Sequence, residues 1–225
     1  MGGIGPEATG LFYNKLIKGL QEKGLIKSNR DYPQILINSM PAPELIYDKI
    51  SSEDLQPYIE GLKELDGFGV DFIVMICNTI YLFYDEFKNE IKTSILDLRK
   101  ELRECLVENK IKTVTVLGTP NTIKRGLYKF EGIKYLNPSV EEMKRLTNAI
   151  FNFNKGNETN KQIRIVNKIC QEYLRKGSEM IVLGCTELAV MLDNENLPTI
   201  DTIDVLVEAT INKIHNFSNT PLTKL

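Results

Sequence analysis

The sequence predicts an α/β fold, a parallel sheet covered by helices on both faces, and three observations lead there. Short β-branched apolar runs recur along the 225 residues. Stretches of helical period separate them. One unit of turn, strand and cysteine occurs twice. QILIN at 34–38, FIVMI at 72–76, TVTVL at 113–117 and MIVL at 180–183 are apolar at nearly every position. A strand of that kind is buried on both faces, which implies parallel neighbours and helical crossovers. Helical patterns fill 55–65, 82–110 with an interruption near Thr93 and Ser94, 140–153 and 160–175. Polar segments at 24–31 and 155–160 read as surface loops. The proline-bearing stretches 40–44 and 137–139 read as turns or loops.

Composition removes several classes. Lys and Arg number 28 against 30 Asp and Glu, so no basic face for nucleic acid is expected. The longest unbroken apolar stretch, 72–77, falls far short of the ~20 residues that span a bilayer. Four cysteines are too few for a disulfide scaffold, and no basic-then-apolar leader opens the chain; a cytoplasmic protein is the expectation. The length allows two domains. We expect a first α/β domain over 1–98, with 203–225 returning to it, and a second over 99–202.

The repeat carries the most information. GVDFIVMIC at 69–77 aligns with GSEMIVLGC at 177–185, so each copy ends a buried strand in a cysteine. Asn78-Thr79 follows one and Thr186-Glu187 the other. Two similar halves thus present a thiol at the carboxyl edge of a parallel sheet, where ligands bind in such folds. A weaker correspondence links GTPNT at 118–122 with GIGPEAT at 3–9. The later copy has a strand before its glycine, whereas only Met1 and Gly2 precede the early one. The repeat therefore predicts a further strand ahead of Gly3, and a start placed too late is the expected reason.

Most free cysteines are inert core residues, and Cys105 and Cys170, inside helical patterns, are read that way. Cys77 and Cys185 differ in their equivalent positions, their small polar neighbours and the helix expected to follow each. A helix N-terminus lowers a thiol's pKa toward the thiolate. A redox pair usually comes as CxxC, which is absent. A zinc site needs more ligands, and His215 is the only histidine. A third use is as base and acid on opposite faces of one carbon, a task suited to pseudo-symmetric halves.

These residues resemble the aspartate/glutamate racemases that work without pyridoxal phosphate. MGGIGPEAT at 1–9 is similar to the family's opening loop, CNT at 77–79 with YDE at 84–86 to its first cysteine motif, and GCTEL at 184–188 to its second. LGTPNT at 117–122 and PTIDT at 198–202 match two further segments, and Glu187 is similar to the aspartate branch. The resemblance implies two α/β domains with the site between them, a homodimer, and aspartate as the substrate. It implies Cys77 and Cys185 as the acid/base pair. Asn78, Thr79, Thr186 and the backbone near Gly3 would hold the substrate's carboxylate and amine, with Thr119 and Thr122 joining the carboxylate cradle. Main-chain donors and hydroxyls at helix N-termini suit a carboxylate, although each such Thr or Asn can equally serve as a helix cap. Glu187 would pair with the substrate ammonium or tune Cys185. No cofactor is required, and the sequence carries no cofactor fingerprint; the 3–9 loop lacks the spacing of a P-loop.

Two positions depart from the family. Tyr81 stands where several members have His, and could hold the same hydrogen bond. Leu45 stands where aspartate-specific members place an Arg, and a leucine cannot replace an arginine–carboxylate fork. Lys155 is an alternative cation for that carboxylate. Three other readings compete: a decarboxylase or cis–trans isomerase of small diacids, of which single-cysteine decarboxylation would not need both thiols; a binding protein derived from a racemase, which would show no α-proton exchange; and a redox dithiol, which needs the two sulfurs at disulfide distance.

Overall fold

The computed structural model describes residues 1–41, 43, 45 and 50–219. The helices are α1 (Pro6–Glu22), α2 (Ser52–Gly67), α3 (Tyr84–Glu90), α4 (Leu98–Glu108), α5 (Pro120–Lys124), α6 (Val140–Asn154), α7 (Thr159–Arg175), α8 (Thr186–Leu192) and α9 (Thr202–Asn219). The strands are β1 (Phe72–Ile73), β2 (Ser94–Ile95), β3 (Thr113–Gly118), β4 (Lys134–Tyr135), β5 (Met180–Gly184) and β6 (Thr199–Asp201).

Among the described residues all strand pairings are parallel. One sheet runs β4-β3-β5-β6, with Val114 opposite Met180 and Gly118 opposite Gly184. The other is shorter: β1 pairs with β2, and Met1 and Gly2 lie between β1 and the segment before Met40. Met1 donates to Val74 O at 2.8 Å and its carbonyl accepts from Ile76 N, so it stands opposite Met75. Gly2 bridges in parallel to Ser39. Burial pushes the Met1 amino group down to about 5.

Local chemistry sets the helix boundaries. Ser51 and Asp54, and Ser139 and Glu142, form capping boxes at the starts of α2 and α6. Asp97 caps α4, Thr119 caps α5, and Pro6 starts α1 where its missing N–H costs nothing. The sheets and their helices bury one core, whose largest hidden side chains include Tyr58, Tyr81, Phe87 and Tyr128. Cys170 is fully inside it and Cys105 half-buried.

Several expectations need correction. The 34–38 run is not a strand, because its neighbour in the sheet contributes only Met1 and Gly2 and the ladder stops there. For the same reason β1 covers only the first two residues of 72–76. The 82–110 stretch is broken more deeply than its pattern suggests: a 3₁₀ turn (Thr79–Phe83) leads into α3, and the interruption is strand β2. Asp66, at the end of α2, fixes that interruption by accepting from Thr93 N at 2.8 Å and Thr93 Oγ1 at 2.6 Å. Ala42 and Glu44, within the expected 40–44 turn, lie outside the described residues. Among the described residues no helix is long and apolar enough to cross a membrane.

α1 packs on α9, which also touches α4 and α8. Lys15 on α1 reaches Asp193 at 2.8 Å, Asp201 at 3.0 Å and Asp204 at 2.8 Å, tying this helix to the edge of the four-stranded sheet. Burial alone would depress the Lys15 ammonium, but the three carboxylates outweigh it and hold it above its ordinary value.

Candidate active site

The carboxyl edges of the two sheets face a cavity of about 300 Å³. β5 delivers Cys185, which is the N-cap residue of α8; the extended run after β1 delivers Cys77, just ahead of the 3₁₀ turn. Both thiols line the cavity and both are buried, 8% and 5% exposed. Gly3, Asn78, Thr79, Thr119, Thr186 and Glu187 line it as well.

Most of the polar side chains among them are held by others. Asn78 is 1% exposed; its Nδ2 donates to Thr202 Oγ1 at 2.9 Å, while Tyr128 donates its hydroxyl to Asn78 Oδ1. Thr79 joins the two halves, with its hydroxyl 2.9 Å from Thr119 Oγ1 and 3.1 Å from Thr122 Oγ1. Thr122 does not line the cavity; it stands behind the other two, 3.2 Å from Thr119 Oγ1. Gly3 lines the wall, but its own N–H donates to Thr9 Oγ1 at 3.0 Å. A side chain at Gly3 would run into the backbone of Met40, and its φ of 88° is one that L-residues avoid. Gly5, at φ 85°, leaves room for Glu187: a Cβ there would sit 2.8 Å from Glu187 Oε1.

Glu187 is the electrostatic centre of the site. Cys185 Sγ donates to its Oε2 at 2.8 Å, Thr186 Oγ1 reaches the same oxygen at 3.2 Å, and Asn154 Nδ2 lies 3.5 Å from Oε1. Burial pushes the Cys77 thiol up to about 12, and the Glu187 charge adds to it; backbone N–H groups of Ile80 and Thr79 pull the other way and lose. Cys185 is also held well above its ordinary value, first by burial, then by the charge and hydrogen bond of Glu187 and the charge of Cys77. The expectation of thiols lowered by helix N-termini is therefore corrected. The donors are present, but desolvation is the larger effect.

Tyr81 is fully buried and donates to Met75 O at 3.2 Å, within its own half and off the cavity wall. Lys155 also lies off the wall, with its ammonium 6.0 Å from the centre of the Phe151 ring. Leu45 does line the cavity, and its carbonyl accepts from Asn121 Nδ2 at 3.0 Å. The sequence reading missed Tyr128, Thr202 and Asn121, which hold Asn78 and the Leu45 backbone, and the apolar wall of Phe153 and Val190. Thr202 ends the PTIDT segment, so that match was a signal for it.

This arrangement can hold a small zwitterion between two thiols, with hydroxyls and an amide for its carboxylate and Glu187 for its ammonium. Comparison with known proteins identifies the family. The family model for Asp/Glu/hydantoin racemases matches residues 1–210. A broad specificity amino-acid racemase of Bacillus subtilis is 26% identical over 221 residues, covering 94% of this chain and 95% of that protein. The crystal structure of an aspartate racemase homologue from Pyrococcus horikoshii is 25% identical, with a TM-score of 0.73 over 95% of this chain and 96% of that one. The aspartate racemase of Picrophilus torridus shares the fold, with a TM-score of 0.79 at 23% identity over 95% of this chain and 92% of that one. The chain belongs to the Asp/Glu/hydantoin racemase family, and it is an amino-acid racemase.

Proposed function

We propose that this chain inverts the α-carbon of an amino acid by proton transfer between Cys77 and Cys185, without a cofactor, and that its preferred substrates carry an uncharged side chain. The observation that carries the reading is the pair of buried thiols, from equivalent places in the two halves, opening on one cavity. The substrate's α-carboxylate meets Thr79, Thr119, Thr186 and Asn78, whose partners hold them in place. Those donors stabilise the charge that develops as the α-proton leaves. The ammonium faces Glu187. Burial first and the Glu187 carboxylate second hold both thiols up; the ammonium's positive charge offsets the carboxylate, so one thiol can give up its proton to solvent as substrate binds.

Aspartate, the substrate implied by the resemblance, fits the wall less well. Ile4, Pro41, Leu45, Phe153 and Val190 make it apolar, and its charged side chains among the described residues, Glu7 and Glu187, are both acidic. The breadth of the Bacillus relative supports a neutral or mixed range. The test is α-proton exchange in heavy water across L- and D-amino acids; exchange with aspartate alone would overturn the preference. Leu45→Arg is expected to shift the ratio of aspartate to alanine exchange by about tenfold or more toward aspartate, the worth of one charge-assisted hydrogen bond.

Because both resting thiols are held in the protonated form, activity depends on a minor thiolate. The rate at low substrate should climb with pH from neutral without the plateau of an ordinary thiol, and should turn down only where the substrate's own ammonium is lost. Glu187 raises both thiols, so Glu187→Gln should move alkylation of the cysteines by iodoacetamide to lower pH. Racemisation should still fall about 10²-fold as the ammonium's charged partner is lost.

A further inference from the structure

Asn78 borders the cavity directly after Cys77, so the direction of its side-chain amide decides whether a ligand meets a donor or an acceptor there. An asparagine amide can turn over and exchange its oxygen for its nitrogen with little change of shape. Two buried hydroxyls meet this one: Tyr128, from the turn after α5, and Thr202, at the start of α9. Both lie off the cavity wall, 2% and 0% exposed, so neither meets a ligand directly.

The available protons fix the direction. Thr202 Oγ1 lies 2.9 Å from the carbonyl oxygen of Leu183, which can only accept, so the one hydroxyl proton of Thr202 is spent there. Toward Asn78, also 2.9 Å away, Thr202 can only accept, and the group that faces it must be Nδ2. Oδ1 then faces Tyr128. Burial holds the Tyr128 phenol well above its ordinary value, so it stays protonated and donates. One Nδ2 hydrogen of Asn78 is thus spent on Thr202, and the other has no protein acceptor among the described residues. Turned over, the amide would set Oδ1 against the lone pairs of Thr202 and leave the Tyr128 proton without an acceptor. Both losses are costly where water is excluded.

We propose that Tyr128 and Thr202 are positioning residues, which together hold Asn78 as an N–H donor toward the substrate's α-carboxylate. The inference rests on the seat for that carboxylate given under the proposed function. A donor fixed in advance and aimed at developing charge is worth more in the transition state than in the bound ground state, so its loss shows in kcat before KM. The same contacts join the two thiol-bearing segments. Leu183 lies two residues before Cys185 on β5, and Asn78 follows Cys77, so one chain of hydrogen bonds runs from the strand of one thiol to the neighbour of the other.

A double-variant cycle tests this, with racemisation followed on the amino acid that exchanges fastest in heavy water. Tyr128→Phe keeps the ring and removes only the hydroxyl; kcat should fall about tenfold, the worth of one buried hydrogen bond, with KM changed by less than about twofold. Thr202→Val should act alike, and Thr202→Ser, which keeps the hydroxyl, should hold kcat within about threefold of the unaltered chain. Asn78→Ala should cost about 10²-fold. Adding Tyr128→Phe to Asn78→Ala should cost nothing further, because the phenol acts only through the amide. An equal tenfold loss in the Asn78→Ala background would overturn the proposal and leave the proposed function standing; so would full kcat in Tyr128→Phe. Full activity in Asn78→Ala would remove the carboxylate's seat itself, and the proposal with it.

Discussion

Alanine at either Cys77 or Cys185 is expected to cut racemisation about 10³-fold, with the double variant hardly worse than either single one. The two thiols act as one device: inversion needs removal on one face and return on the other, and neither half-device inverts anything. The single variants should differ in what they keep. With Cys185 alone, a proton can still be taken from, and returned to, the face that this thiol sees, so one enantiomer should exchange its α-proton with retention. With Cys77 alone, the other enantiomer should do so. Alkylation at the remaining cysteine shows that each variant retains a site. Equal residual exchange of both enantiomers in both variants would contradict the assignment.

The second large effect is on stability. Lys15→Met should lower unfolding free energy by about 3 kcal/mol, which corresponds to roughly 6–12 °C in a chain of this size. The reason is Asp201, whose side chain is 10% exposed and whose carboxyl is raised by burial and by the Asp204 charge, with Lys15 opposing both. Removing the lysine leaves a buried carboxylate without its counter-charge. Asp204→Asn is the control: that side chain is 60% exposed, and its loss should cost under about 1 kcal/mol. A thermal melt of the two variants decides; equal shifts would mean that the cluster acts through its surface charge alone.

β3 and β5 were legible because every position of TVTVL and MIVL is buried or nearly so, and their helices α6 and α7 because polar and apolar positions alternate at helical spacing. Strands β4 and β6 were not read, being two and three residues long with mixed burial. Helix α1 was overlooked although Ala8, Phe12, Leu16 and Leu20 recur at a spacing of four and all face the core. The run at 34–38 has a strand's composition without a strand's ladder, since strand formation depends on a neighbour that no local pattern supplies.

At the site, the cysteines and the polar residues beside them followed from the repeat, and the cavity gathers all of them except Thr122. What local sequence could not show is the outer ring. Tyr128 and Thr202 meet Asn78 from elements 50 and 124 residues away. Nor could it weigh the helix N-terminal donors at Cys77 against desolvation, because burial is a property of the assembled core.

The most direct test of the two-thiol account is racemisation of single enantiomers in heavy water, stopped early and read by NMR. The proton removed stays on one thiol, and the one delivered comes from the other, which has equilibrated with solvent. The account predicts that the product enantiomer carries deuterium at the α-carbon while unreacted substrate keeps its proton, from either direction. Deuterium entering the remaining substrate as fast as product forms would show one base serving both faces, and would contradict the assignment of Cys77 and Cys185 to opposite faces.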